Sequence, residues 1–349
     1  MDIYEVPKVP EEKRYWVVRA EGGLYFDHFT QHGLIALGHL NCLDIKDTPE
    51  SGQFYPSEDK LSQSFIRYHD EIGSSRHRTS SHLTQIKSFI YEMSVGDWVV
   101  TVGDKLVRFG RIIGRPYIEN EPVTVVYDAM KGRLVKMDFT LRRSVVWGPS
   151  ILRKELPYGL SQSFQSNLTL FCLDKHWQAV HHSLYPAFVK DNHLYLSSKI
   201  RSKDRIKNYS VSAVLTLLNE IEVIGKEVEN FDNLENFDDT YNRYIDDNKL
   251  SITTKAQFHS PGDIWNAIGA TAGSIDGWMT YTVAAYSMLF GNQKLGFDGL
   301  IDLQTRQKIW DLVLDRLKKN KAEKVVDSLK LEMPRLDTSK LEDSSKDEK

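Results

Sequence analysis

The side chains of this 349-residue chain that could do chemistry fall into two groups, histidines and arginines. His28, His32 and His39 lie early, and His176, His181, His182, His193 and His259 later. Histidine titrates near neutral pH and can act as a base or a metal ligand. None stands at a spacing that supplies a partner, and the adjacent His181 and His182 diverge on a helix, so they cannot share one ion. No serine or cysteine nucleophile carries a local signature, and no G-x-x-x-x-G-K-S/T loop is present to cradle a phosphate. Gly103-Asp104-Lys105 reads as a hairpin turn. No catalytic residue, metal ligand or cofactor site is assigned, and enzyme activity is not expected.

The arginines point elsewhere. Residues 76 to 154 carry 14 Lys or Arg against 7 Asp or Glu, whereas residues 1 to 75 carry 7 against 13. Arg76, Arg78, Arg108, Arg111, Arg115, Arg142 and Arg143 all fall in the basic stretch. The guanidinium fork suits phosphate oxygens and stacks on bases, so the chemistry indicated is recognition of nucleic acid rather than bond breaking.

Short strands must position these residues. Alternating apolar runs bounded by glycine occur at Tyr15 to Arg19, Gly33 to Gly38, Gly96 to Thr101, Arg108 to Gly114 and Arg143 to Trp147, and Tyr25 to Gln31 reads as a helix between the first two. Asp44 to Ser81 reads as an insertion with one helix, Glu58 to Glu71, followed by a polar loop, Gly73 to Ser81, and a helix over His82 to Met93. The glycine- and serine-rich loop, with Arg76 and Arg78, would make a clamp on a phosphate backbone.

These runs, in this order, resemble the PUA-like superfamily, in particular EVE-type domains such as those at the front of Mrr-type restriction and other antiviral proteins. The motifs are Trp16 to Arg19 ("W-x-x-R"), Gly33 to Gly38 ("G-x-I-A-x-G"), Gly96 to Val100 ("G-D-x-V-V"), Gly110 to Pro116 with Tyr117 one place late, and Arg143 to Trp147 ("R-x-V-x-W"). His39 stands where many relatives carry another aromatic residue. The resemblance covers the first half of the chain. It implies a small β-barrel that draws one base, often a modified one, out of its strand into a pocket. By position it implies His39, Asp44, Thr101 and Tyr117 for that pocket, with Trp98 as a wall. Arg19, Arg76, Arg78, Arg108, Arg111 and Arg115 would form a rim for the flanking phosphates.

The expected architecture is α+β: a leader over 1–13, a PUA-like barrel with flanking helices over 14–156, a connecting α/β region over 157–225, an acidic linker or loop over 226–250, a helical oligomerisation or effector domain over 251–333 and a disordered tail over 334–349. Within the connecting region, Ser210 to Gly225 reads as an amphipathic helix. Ile252 to Phe258 reads as a strand, Ile264 to Phe290 as a helix rich in small residues, and Asp302 to Leu331 as one long amphipathic helix.

With Cys42 and Cys172 as its two cysteines, the chain has no disulfide framework or zinc spacing, and its first residues do not read as a secretion signal, so a cytoplasmic protein is expected. The expected function is a bacterial antiviral sensor that binds nucleic acid, DNA in the first instance, through a modified or flipped base, and forms a homo-oligomer. Two alternatives have footholds. The 264–290 helix could contact and disrupt a membrane, although its apolar core is shorter than the ~20 residues of a span. Asp298, Asp302 and Lys308 could make the metal-dependent nuclease that Mrr-type relatives often carry, but five residues between Asp302 and Lys308 are too few for the usual strand, turn and strand.

Overall fold

Branched and aromatic residues favour pleated backbone, and in the first half of the chain they pair into a seven-stranded sheet and a separate two-stranded hairpin. The elements are β1 (Tyr15–Val18), α1 (Phe26–His32), β2 (Leu34–Leu37), α2 (Glu58–Glu71), α3 (Arg76–Lys87), β3 (Trp98–Val102), β4 (Leu106–Ile112), β5 (Tyr117–Ile118), β6 (Val123–Tyr127), β7 (Arg133–Met137), β8 (Leu141–Leu152), α4 (Tyr158–Ser163) and β9 (Leu170–Cys172). The structure, a computed structural model, describes residues 6–49, 52–127, 132–230, 234–258, 262–269, 277–289, 303–334 and 336–343. Chain contacts divide the molecule into a half-barrel unit, Glu12–Trp177 with Asp337–Lys349, and a helix-rich unit, Gln178–Leu336 with Met1–Glu11.

In the half-barrel unit the strands run β2-β8-β4-β3-β1-β9, with β5 also beside β8, in a curled sheet. The β1–β3 pair is parallel; β3 and β4 form an antiparallel hairpin closed at Gly103, whose amide donates to the Leu106 carbonyl. The residues of the sequence motifs are the joints of this frame. Asp97 is buried and accepts from Trp16 Nε1 at 2.9 Å, Ser94 N at 3.0 Å and Arg14 N at 3.1 Å, which ties β1 to the turn before β3. Trp147 Nε1 donates to the Phe29 carbonyl at 2.8 Å and so fixes α1 on β8. A side chain at Gly110 would meet Trp147 and Val145 at 2.7 Å, so glycine lets β4 and β8 close.

Helix α2 buries Leu61, Phe65 and His69, one face at four-residue spacing. Helix α3 begins earlier than the sequence suggests: Ser75 caps it through the Arg78 amide, and Thr79, Leu83 and Ile86 are buried. Thus Arg76 and Arg78 stand on a helix, not in a polar loop. The ion pair of Lys87 with Glu58, at 2.9 Å, joins the two helices. The tail adds a short helix, Ser339–Asp343, whose Leu341 fills the space beside Gly148 and is buried, contrary to the expected disorder there.

The helix-rich unit contains α5 (Trp177–Leu184, whose first residue belongs to the other unit), β10 (Ala187–Lys190), β11 (His193–Ile200), α6 (Asn208–Glu227), α7 (Phe237–Asp246), β12 (Thr253–Ala256), β13 (Gly262–Gly269), α8 (Gly277–Leu289), α9 (Leu303–Lys319), α10 (Glu323–Leu329) and β14 (Leu331–Glu332). The tail helix is α11 (Ser339–Asp343). The sheet runs β10-β11-β13-β12 with β14 beside β11, and α6 packs on α7, α8, α9 and α10. Gly225 admits Thr282 of α8 against α6 at a distance no side chain would allow.

Four expectations change here. Ile264 to Gly269 is strand: Gly262, Ile264, Asn266 and Ile268 are buried in alternation, a period of two that the small residues beyond had obscured. The helix begins at Gly277, and 270–276 lie outside the described residues. The expected long helix divides at Lys321, whose φ of +53° no helix accommodates. The expected acidic linker contains α7, which buries Phe237 and Tyr244. In the expected leader, Val9 is buried and Lys8 bridges to Val189.

Candidate nucleic-acid interface

A cavity of 410 Å³ opens on the half-barrel unit, walled by Gln53 and Tyr55, by the turn from Ile90 to Val95, by Arg115 and Pro116, and by Arg143. Its construction starts at the end of α3, where Ser88–Glu92 widens into one π turn closed by the Met93 amide on the Ser88 carbonyl at 2.9 Å. A π turn leaves carbonyls without their usual donors, and such turns often mark functional sites. Arg143 of β8 supplies the donors. Its Nε donates to Phe89 O at 2.9 Å, its Nη2 to Met93 O at 2.8 Å and Ile90 O at 3.1 Å, and its Nη1 to Gly114 O at 3.2 Å. One side chain therefore holds the wall that bears Tyr91 and the turn that leads to Arg115.

The third wall is tied to the other two. Phe54 N donates to Pro116 O at 2.7 Å, and Tyr91 Oη donates to Pro56 O at 2.9 Å. Arg115 is exposed, and its Nη1 donates to Gln53 Oε1 at 2.7 Å. The Tyr55 ring is 56% exposed and meets Tyr91 edge to face, with centroids 4.9 Å apart and planes at 83°. Burial pushes the Tyr91 hydroxyl up to about 12, with Glu58 adding to the shift, so it remains a donor at neutral pH. Burial lowers Arg143 to about 10, which leaves it charged. The result is an aromatic lining over a buried cation, a combination that attracts a planar, electron-rich group.

A second cluster forms around His39, which follows β2. Its ring stacks on His82 of α3, with centroids 4.2 Å apart and planes 9° from parallel, and His69 of α2 meets His82 edge-on at 6.3 Å. His69 Nδ1 is 3.0 Å from Ser74 Oγ. Burial lowers His39 to about 4, helped by His82, Arg78 and His69, and burial also lowers His82. The stacked pair is neutral near pH 7.

The residues singled out from sequence divide accordingly. Arg115 lines the cavity, and His39 and Arg78 belong to the histidine cluster. Arg76 is exposed on α3, and Asp44 is exposed in the insertion. Trp98 is 3% exposed and stacks on Tyr15 at 6.5 Å, with the Arg111 guanidinium 5.4 Å above its ring. Thr101 is fully buried on β3. Arg111 is buried at the register position opposite Trp98, so it offers no surface to a phosphate. Arg108 Nε donates to Gly148 O at 2.8 Å, and Arg19 Nη2 donates to the Phe164 carbonyl. Tyr117 is half-buried on β5, and burial raises its hydroxyl pKa. Sequence reasoning missed Tyr55, Tyr91 and the placement of Arg143; the Tyr-Pro step at 55–56 and the arginine heading the last strand motif were the available signals.

Among the described residues no group of three or more His, Cys, Asp or Glu could hold a metal ion, and no helix is long and apolar enough to cross a membrane. Asp298, Asp302 and His259 lie outside the described residues; Lys308 is on α9. Comparison with family models, with curated proteins and with solved structures gave no match.

Proposed function

We propose that the half-barrel unit is a PUA-like, EVE-type domain that binds nucleic acid by taking one unstacked base, plain or modified, into the cavity lined by Tyr55 and Tyr91. The observation that carries this reading is the cavity itself: two tyrosines, an exposed arginine at the mouth and a buried, charged arginine in the wall. Stacking of a base on such a ring contributes about 1–3 kcal/mol. Arg115 then meets a flanking phosphate with its fork, and Arg76 and Arg78 extend the basic surface of the unit. By the same resemblance the chain acts as a sensor in bacterial antiviral defence, with DNA as the first candidate ligand and the helix-rich unit as the part that self-associates or signals.

The test is a titration of the full chain with labelled single- and double-stranded oligonucleotides, with and without modified cytosine or adenine, at several salt concentrations. Tyr55→Ala is expected to weaken binding about 5- to 100-fold with the salt slope unchanged. Arg115→Ala is expected to lower that slope by about one. The proposal fails if no oligonucleotide binds in a salt-dependent way, or if Tyr55→Ala binds as tightly as the parent.

A further inference from the structure

The helix-rich unit has a groove of its own, 870 Å³ in volume, between the segment that leads into α6 and the turn from α9 to α10. Five cations line it. Arg205 and Lys207 stand on one side and Lys318, Lys321 and Lys324 on the other, against the carboxylates of Asp204 and Glu323. All five are exposed, and among the described residues none of them has an ion-pair partner. Elsewhere in the same unit Lys226, Arg316 and Lys319 are all paired. Unpaired like charges gathered on one concave surface repel one another, and an anion relieves that repulsion.

The groove also has a flat apolar face. The Tyr209 ring is 57% exposed, and its hydroxyl reaches across to donate to Asn320 O at 3.2 Å, which holds the ring between the two sides. Ile206, Val325 and Leu329 lie beside it. Lys321 adds a further sign: with φ at +53° it occupies backbone where glycine or asparagine is the cheaper residue, so the chain places a cation at the rim against local preference. The first turn of α6 carries no side-chain cap, and its amides add to the positive potential.

We propose that this groove binds a nucleotide bearing two or more phosphates, its base on Tyr209 and its phosphates among Arg205, Lys207, Lys318, Lys321 and Lys324. The volume lies within the range of about 300–1,000 Å³ usual for small-molecule sites. This site is separate from the base pocket of the half-barrel unit and does not depend on that reading.

Calorimetric titration of the full chain with ATP, CTP, GTP and UTP, with inorganic tripolyphosphate and with adenosine tests the proposal. At least one triphosphate is expected to bind, tripolyphosphate at least fivefold more weakly than that nucleotide, and adenosine not measurably. Lys318→Glu with Lys324→Glu should weaken nucleotide binding at least tenfold. Lys321→Gly should also weaken it while leaving the melting temperature unchanged or raised, because glycine suits that backbone; this separates lost charge from lost fold. Failure of all four nucleotides to bind would overturn the proposal, as would equal affinity for tripolyphosphate or unchanged affinity in the charge-reversed double variant.

Discussion

Arg143 in the half-barrel unit and Arg316 in the helix-rich unit are both buried arginines, and they are satisfied in opposite ways. Arg316 faces carboxylates: its Nη2 and Nε donate to Glu220 Oε1 at 2.9 and 3.1 Å, Asp238 Oδ1 lies 3.1 Å away, and the guanidinium sits 4.7 Å over the Phe237 ring. Burial alone would lower its pKa, but Glu220 and Asp238 outweigh burial and raise it. Arg143 faces four neutral carbonyls, and burial pulls it down to about 10. The difference teaches where charge remains available. Arg316 is neutralised and serves only packing, whereas Arg143 keeps a net positive charge in a cavity wall, where low dielectric strengthens its pull on a ligand.

That contrast can be broken by one double variant at Arg316 and one single variant at Arg143, and these have the largest expected effect. Arg316→Met leaves Glu220, 3% exposed, as a buried carboxylate and should cost about 3–5 kcal/mol in urea unfolding. Adding Glu220→Gln should restore a large part of it, because the unpaired charge is gone. Arg143→Met should cost about 3 kcal/mol through lost donors, and among the described residues no carboxylate stands within ion-pair distance of it whose removal could restore it. If Glu220→Gln deepens the Arg316→Met defect, or if Arg143→Met costs under about 1 kcal/mol, the two arginines are not held as described.

Legibility in the sequence follows the same line. The frame of the half-barrel could be read because each joint residue carries its own local signal even where its partner lies far along the chain: glycines at tight approaches, tryptophans with one hydrogen bond to make, valines in β3. The α+β class and the positions of α1, α2 and β2 to β4 follow from those signals. The cavity could not be read, because its walls come from separate stretches that meet only after folding: Tyr55 from the insertion, Tyr91 from a π turn, Arg115 from the turn after β4 and Arg143 from β8. Arginine type alone also misled. Arg108 and Arg111 have the chemistry of phosphate contacts, but one donates to a backbone carbonyl and the other lies over Trp98. In the helix-rich unit, Ile264 to Gly269 was hidden because small residues suit both a packed helix and a covered strand.

His39 gives a third answer to burial, since it gives up its charge. Its folded value, near 4, lies below the ~6.5 of an unfolded histidine. Between those values the unfolded chain binds a proton that the folded chain refuses, so stability falls as pH drops from about 6.5 to about 4. The slope cannot exceed about 1.4 kcal/mol per pH unit for this group, and His82, also lowered, adds to it. His39→Phe keeps a ring against His82 and removes the titration. Unfolding measured at pH 5 and pH 7 should show a smaller difference for this variant than for the parent; an equal difference would mean that the titrating group lies elsewhere.

The smallest expected effect sharpens the account of Arg316 by dividing its two nearest carboxylates, Glu220 and Asp238; Asp315 lies farther, at 3.7 Å. Asp238 is half-exposed and also pairs with Lys319, and its pKa is lowered by Lys319 first and Arg316 after it. A lowered carboxylate contributes stability above its unfolded value and loses it as pH falls, but water screens this one, so Asp238→Asn should cost at most about 1 kcal/mol at pH 7. Glu220 is buried, bonded to Arg316 and, through Oε2, to Asn320 at 2.7 Å. Its removal alone takes away the buried partner of the guanidinium and leaves only more exposed carboxylates, so it should cost several-fold more than Asp238→Asn. Burial, not the count of ion pairs, then sets the energy. Equal losses from Glu220→Gln and Asp238→Asn would contradict that ordering and would make the exposed pair the one that neutralises Arg316.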